Sequence, residues 1–289
     1  MSSSAALVAP VSGKTSRDPA ATAHAGVNPN ALSGLRTLRV RFQDSVCFVQ
    51  IHRPEAGNTI SDELVAEMHQ VLTVCESVAT VLVLGGSPEV FCAGADFKAL
   101  ASAPAAAHED EDDTDRGPLY DLWLRMLDAP FIVVSHVRGK ANAGGIGFVA
   151  ASDIVLADET AQFSLSELLF GLYPAMVLPF LVRRVGAQRA HYLTLMTQPF
   201  SAAQACEWGL VDAFEPRSEA LLRRHLLRLS RLSRTAIRRY KKYMSGLSSA
   251  LSEQKPRAVA ANKEVFSDPE NLAAITRYVE RGVFPWERN

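Results

Sequence analysis

The chain has 289 residues, 48% of them apolar and 21% charged, with a net charge of −1. This is an ordinary globular composition with ample core material for one large or two smaller domains. Cys47, Cys75, Cys92 and Cys206 lie far apart with no C-x-x-C pair, which argues against a zinc site or a disulfide framework and predicts reduced, buried thiols.

Residues 1–35 are rich in Ser, Ala, Pro and Gly without an apolar period, and a disordered extension is expected there. Met1 to Ala9 lacks a basic segment and carries only a short apolar run, so no signal peptide is expected and a cytoplasmic protein is favoured. Thr37 to Gln43 and Val46 to His52 alternate like paired strands around Asp44-Ser45. Ser61 can cap a helix with Asp62 and Glu63 in its first turn, and Leu64, Val65, Met68, Val71, Leu72 and Cys75 form its apolar stripe. Val81 to Leu84, Phe131 to Val137 and Ile154 to Leu156 are short apolar runs of the kind buried on both faces of a sheet.

Ala99 to Gly117 turns from Ala-rich to acidic, every residue from Glu109 to Asp115 being an acid except Thr114, and predicts a loose loop over a pocket mouth. A helix is expected from Leu119 to Leu127. The apolar stretch Leu168 to Val182 is interrupted by Gly171, Pro174 and Pro179, so it supplies no membrane span. Ser201 and Gln204 form a capping-box pattern, Gly209 ends that helix, and a short strand is expected from Leu210 to Phe214. From Ser218 the pattern is helical: a basic helix to about Leu247, a second around Leu251 to Phe266, and a third from Asp268-Pro269 to Gly282. Strands alternating with helices imply repeated ββα units, an α/β fold.

Three segments carry chemistry: Phe91-Cys92-Ala93-Gly94-Ala95-Asp96, Asn142-Ala143-Gly144-Gly145-Ile146-Gly147, and Phe163-Ser164-Leu165-Ser166-Glu167-Leu168-Leu169-Phe170-Gly171. Removing a proton next to a thioester carbonyl places negative charge on its oxygen, which two aimed backbone N–H groups can stabilise. Gly94-Ala95 and Gly144-Gly145 carry no bulky side chain to block such an approach. Glu167 would move the proton. Asn142 could bond a substrate hydroxyl or carboxylate, or serve only its turn. His136 reads as a satisfied core imidazole, and the Asp96 side chain as a brace for its own turn.

In this order the segments resemble the enoyl-CoA hydratase/isomerase, or crotonase, superfamily. The likeness continues through Arg53-Pro54-Glu55-Ala56-Gly57-Asn58 and Ser201-Ala202-Ala203-Gln204-Ala205-Cys206-Glu207-Trp208-Gly209-Leu210-Val211, covering about residues 36–289. It implies a crotonase-like spiral of ββα units over 36–217, with a C-terminal helical oligomerisation region over 218–289 that packs trimers or hexamers. It assigns the oxyanion-hole N–H groups to Ala95 and Gly144, the acid/base role to Glu167, and contact with the thioester and pantetheine arm to Ala56, Ala93, Asp96 and Gly145. No metal or other cofactor is implied, the acyl group riding on coenzyme A or on the phosphopantetheine of an acyl carrier protein.

Many hydratases of this family use two glutamates, and Gly147 stands where the first is normally found. The wording from Gly139 to Asp153 and from Phe163 to Pro174 is similar to a branch from polyketide β-branching cassettes. That branch dehydrates an (S)-3-hydroxy-3-methylglutaryl carrier protein to its 3-methylglutaconyl form, a hydro-lyase reaction for which one carboxylate suffices. The alternatives are an enoyl-CoA hydratase or isomerase acting on a coenzyme A thioester, and a non-catalytic or RNA-binding relative using the basic stretch Arg217 to Lys242. The intact oxyanion pattern with Glu167 argues against a nucleic-acid partner.

Overall fold

The computed structural model describes residues 32–102, 117–247 and 250–287. Most of the expected extension and the whole acidic run Glu109 to Asp115 therefore lie outside the described residues. The folded part begins before residue 36, because Leu32 and Leu35 already pack on the main core.

Strands β1 (Leu38–Gln43) and β2 (Val46–Ile51) pair antiparallel about Asp44, which turns with a φ of 51°. Helix α1 (Asp62–Val78) opens at Ser61, whose hydroxyl accepts from Leu64 N at 3.2 Å, and buries the expected stripe. Glu67 also lies on that stripe, and sequence reasoning passed over it. Its carboxylate accepts from Arg36 N at 2.6 Å and from Thr37 N at 3.0 Å, so a buried charge is matched by the amides where the chain enters the fold.

Strands β3 (Val81–Gly85), β5 (Ile132–Val137), β7 (Ile154–Asp158) and β10 (Ala213–Glu215) complete a six-stranded sheet of order β1-β2-β3-β5-β7-β10, parallel after the first pair. A second sheet runs β4 (Val90–Cys92), β6 (Lys140–Asn142), β8 (Gln162–Ser164) and β9 (Phe200–Ser201), with β4, β6 and β8 parallel. Each turn of the chain, β3–β4, β5–β6 and β7–β8, adds one strand to each sheet before a helix follows. This is the α/β spiral of ββα units.

Period-two alternation sends the large sheet's side chains to two cores. Leu82, Leu84 and Val133 join the main core with α1 and α3 (Pro118–Asp128), while Val81, Val83, Ile132 and Val134 face outward. Leu221, Leu222 and Leu229 of α8 (Ser218–Leu229) and Ile237 of α9 (Arg234–Gly246) cover that outer side. The helical region after residue 218 is thus partly a layer of the core. Its last two helices, α10 (Ala250–Ser267) and α11 (Pro269–Arg281), wrap back over the spiral, and Tyr120 Oη on α3 donates to Leu251 O at 2.7 Å.

Three expectations are corrected. The single basic helix breaks into α8 and α9, because Ser233 caps a new helix by accepting from Ala236 N at 3.2 Å. Leu210 and Val211 are not in a strand, since their amides donate to Ala205 O, closing the end of α7 (Ala202–Glu207), and pairing starts at Ala213. The expected loop from Ala99 starts as helix α2 (Phe97–Ser102). Cys47, Cys75 and Cys92 are buried free thiols, whereas Cys206 is half-buried. Among the described residues, no helix is long and apolar enough to cross a membrane.

Lys241 on α9 ties this outer helix to the sheet. Its buried ammonium donates to Met126 O at 3.2 Å, Phe131 O at 3.0 Å and Asp153 Oδ2 at 2.6 Å. Lys241→Met leaves two carbonyls and a carboxylate short of a donor. Because Asp153 keeps some solvent, the expected loss is about 3 kcal/mol, the low end for a broken buried pair, read as a lower urea midpoint at unchanged slope.

Candidate active site

The three chemistry-bearing segments leave from the same ends of three adjacent parallel strands, β4, β6 and β8. Neighbouring strands stand about 4.8 Å apart, so the segments meet although some 70 residues of chain separate them. Gly94 makes the closest approach possible. Its φ is +90°, and a Cβ there would stand 2.6 Å from Ala143 Cβ, 3.0 Å from Asn142 O and 3.2 Å from Gly144 N. Ala143 itself has φ 49° and ψ −118°, a conformation costly for a residue with a Cβ. Backbone strain thus sits between the two turns, which an Ile60 N to Gly94 O bond of 2.8 Å helps to hold.

Ala95 follows this contact, and Gly144 is the first residue of α4 (Gly144–Ala150), where an amide has no partner within its own helix. Among the described residues, neither the Ala95 nor the Gly144 N–H has an acceptor. Gly145 is buried against the Cys92 carbonyl, so its small size serves packing rather than an open contact. Burial pushes the Cys92 thiol up to about 12, which leaves it protonated and unreactive at neutral pH.

Glu167 begins a short turn of helix, Glu167–Phe170, after β8, and is only 7% exposed. Its Oε2 is buried without a donor. Desolvation raises its pKa to about 7, against the opposing pull of the Glu167 and Ser166 backbone amides. Phe170 fixes this turn from below by edge contacts to Phe97 of α2 at 5.2 Å and Tyr278 of α11 at 5.1 Å. Asn271 of α11 fills the space where Gly171 has no side chain, and its amide donates to Val265 O at 3.0 Å.

The Asn142 side chain is engaged by the protein: Oδ1 accepts from Ser164 Oγ at 2.7 Å, and Nδ2 donates to Ser166 Oγ at 3.3 Å. It therefore clamps the Glu167 segment to β6, which favours the turn reading over direct substrate contact. Asp96 is engaged likewise, accepting from Ala99 N at 3.1 Å, Thr59 Oγ1 at 3.0 Å and Arg53 Nη2 at 3.4 Å. These bonds hold its carboxyl below the usual range despite the opposing desolvation. Arg53 also donates to Thr59 O at 2.6 Å, and Asn58 Nδ2 to Val90 O at 2.8 Å, so the loop carrying Ala56 is pinned beside β4. A Cβ on Gly57 of that loop would meet Ala93 Cβ at 3.7 Å, so the loop runs close to the Ala93 segment. His136 bonds Ser218 Oγ at 2.8 Å, and burial drops its pKa to about 4, a core imidazole as expected.

Sequence reasoning missed Trp123. A Cβ on Gly147 would overlap the indole edge of Trp123, which comes from α3 and is 1% exposed. The position that lacks a carboxylate is filled by an aromatic ring. Nothing local to Trp123, one member of the buried stripe Tyr120, Trp123 and Met126, distinguishes it from a core residue. A separate apolar cavity of about 620 Å³, between Leu178, Pro179 and Val182 of α5 (Leu178–Val185) and Leu251 and Ala258 of α10, contains none of these site residues.

The family described as enoyl-CoA hydratase/isomerase matches residues 41–289. The chain is 56% identical over 253 residues to the bacillaene synthase dehydratase PksH of Bacillus subtilis, covering 87% of this chain and 97% of that one. A crystal structure of a putative polyketide biosynthesis enoyl-CoA hydratase, pksH, from Bacillus subtilis superposes with a TM-score of 0.82 at 55% identity, covering 86% of this chain and 99% of that one. The mevalonyl-coenzyme A hydratase sidH of Aspergillus fumigatus is 36% identical over 170 residues, 58% of this chain and 62% of its own. With its spiral fold and this match across most of its length, the chain belongs to the enoyl-CoA hydratase/isomerase family.

Proposed function

We propose that the chain is a β-branching dehydratase of polyketide biosynthesis, converting a 3-hydroxy-3-methylglutaryl thioester on an acyl carrier protein to the 3-methylglutaconyl thioester. The observation that carries the reading is Glu167, a buried carboxyl raised toward neutrality with one unpartnered oxygen, on the segment after β8, while the segments after the neighbouring β6 and β4 carry two amides that have no acceptor. The 56% identity to a protein named as a bacillaene synthase dehydratase supports the direction of the reaction. A relative named as a hydratase of mevalonyl-coenzyme A supports a branched β-carbon.

In this mechanism the thioester oxygen sits between the N–H groups of Ala95 and Gly144. Glu167 as carboxylate takes the α proton, and the electron pair of the Cα–H bond moves onto the thioester as an enolate held by the two amides. The enolate then re-forms the carbonyl and makes the Cα=Cβ bond as the Cβ–O bond breaks. The departing oxygen takes the proton back from Glu167 and leaves as water. The step is redox neutral and balances with one carboxylate, so the reading calls for no metal or other cofactor.

The same proposal includes the phosphopantetheine arm running past Ala56 and Ala93, a homotrimer or hexamer in the cytoplasm, and no nucleic-acid partner. Mass spectrometry of a 3-hydroxy-3-methylglutaryl carrier protein tests it: loss of one water is expected. No loss, or direct loss of carbon dioxide, overturns it. Running the coenzyme A ester in parallel tests the carrier assignment, since faster turnover of that ester would favour a coenzyme A enzyme.

A further inference from the structure

The geometry points to Trp123 as the residue that holds the β-oxygen of the substrate, donating from Nε1 to the hydroxyl that leaves; this rests on the dehydration reading above. Trp123 Nε1 is fully buried and has no acceptor, whereas a buried indole N–H normally finds a partner. Among the described residues, three buried side-chain polar atoms lack one: Trp123 Nε1, Glu167 Oε2 and Arg277 Nε. The second is on the turn after β8 and the first comes from α3, whose indole packs against Gly147 of α4; they are a donor and an acceptor.

Their placement follows from Gly147. The ring atoms against its bare Cα are Cε2, Cζ2 and Cη2, and Nε1 is bonded to Cε2, so the donor lies on the edge that meets α4. Gly147 stands three residues after Gly144, on the same side of that helix one turn further along. The indole therefore flanks the turn that presents the Gly144 amide, while Asn142 and Ser166 tie the Glu167 segment to the same strand end. A side chain at 147 would exclude the ring.

A β-hydroxyl is the one group of a 3-hydroxyacyl thioester that can satisfy both orphans, accepting from Trp123 and donating to Glu167. As the Cβ–O bond breaks, negative charge grows on the oxygen, and a fixed donor gains strength at that moment. Indole cannot take up a proton at neutral pH, so Trp123 orients and stabilises the leaving oxygen while Glu167 alone protonates it. The structural alternative is an N–H aimed at the face of Phe180 or Phe148, whose ring centroids stand 5.5 and 5.9 Å away.

The test is Trp123→Phe, which keeps a ring over Gly147 and removes the N–H. Two rates are measured: dehydration of 3-hydroxy-3-methylglutaryl carrier protein, and α-proton exchange in deuterium oxide of the 3-methylglutaryl thioester, which has no β-oxygen. The expected result is kcat for dehydration lower by roughly 10- to 100-fold, with KM little changed and exchange at the wild-type rate. Equal slowing of both rates, or of neither, overturns the assignment. Wild-type protein that exchanges the proton but releases no water sinks the dehydration reading instead. If the variant does not fold, the indole N–H resonance of Trp123 in Glu167→Gln protein decides: a downfield shift with the hydroxylated thioester but not with its deoxy analogue supports the contact, and identical spectra refute it.

Discussion

Glu167→Gln is expected to abolish dehydration while making the folded protein more stable above neutral pH. The first effect follows from the proposed mechanism, in which this one group both takes the α proton and returns it, so a loss of at least about 10³-fold in kcat is expected. The second follows from burial. The carboxyl keeps its proton up to about pH 7 in the folded protein, against a usual value of 4.5. Between these values the folded state binds more protons than the unfolded chain, so stability falls as pH rises through this window. The penalty is absent below about pH 4.5 and complete above pH 7, where it reaches about 3 kcal/mol, and glutamine does not carry it. Thermal melts at pH 5 and pH 8 should show the variant's advantage mainly at pH 8. Wild-type kcat should rise with pH through about 7, as the base form of Glu167 appears. Full turnover by the variant would remove Glu167 from the mechanism, and equal melts at pH 8 would contradict its burial as a charged group.

Gly94→Ala should damage catalysis more than its single methyl suggests. The backbone there has φ +90°, and the new Cβ would stand 2.6 Å from Ala143 Cβ and 3.0 Å from Asn142 O. Relief requires the Ala95 turn and the Gly144 turn to move apart, which misaims both amides at once. Losing a well-aimed oxyanion donor costs on the order of 10²- to 10³-fold in kcat. The strained φ and the clash together should cost about 1–3 kcal/mol of stability. Steady-state kinetics with a urea titration separates the two effects. A variant that is less stable yet turns over normally would show that the contact only packs two turns.

The candidate site was legible in the sequence where chemistry depends on local residue type. A glycine that lets backbone approach backbone, a small residue at a helix start, and an acid at the head of a turn are written in Gly94-Ala95, Gly144 and Glu167, whatever the rest of the chain does. The same holds for Ser61, for Ser201 with Gln204, and for Gly282, because a helix cap is made within three or four residues. The break between α8 and α9 escaped notice although Ser233 is a local cap, since the basic pattern runs on across it.

What only the tertiary structure decided depends on partners far along the chain. Glu67 reads as one more polar helix residue until Arg36 and Thr37 donate to it, and Asn142 reads equally as a substrate contact or a turn residue until its bonds to Ser164 and Ser166 are seen. Gly147 is the sharpest case. The resemblance implies a carboxylate at this position, and the sequence has a glycine there. That an indole from 24 residues upstream occupies the vacant place, with a donor left unpaired, follows from packing between two helices, and no local pattern encodes it.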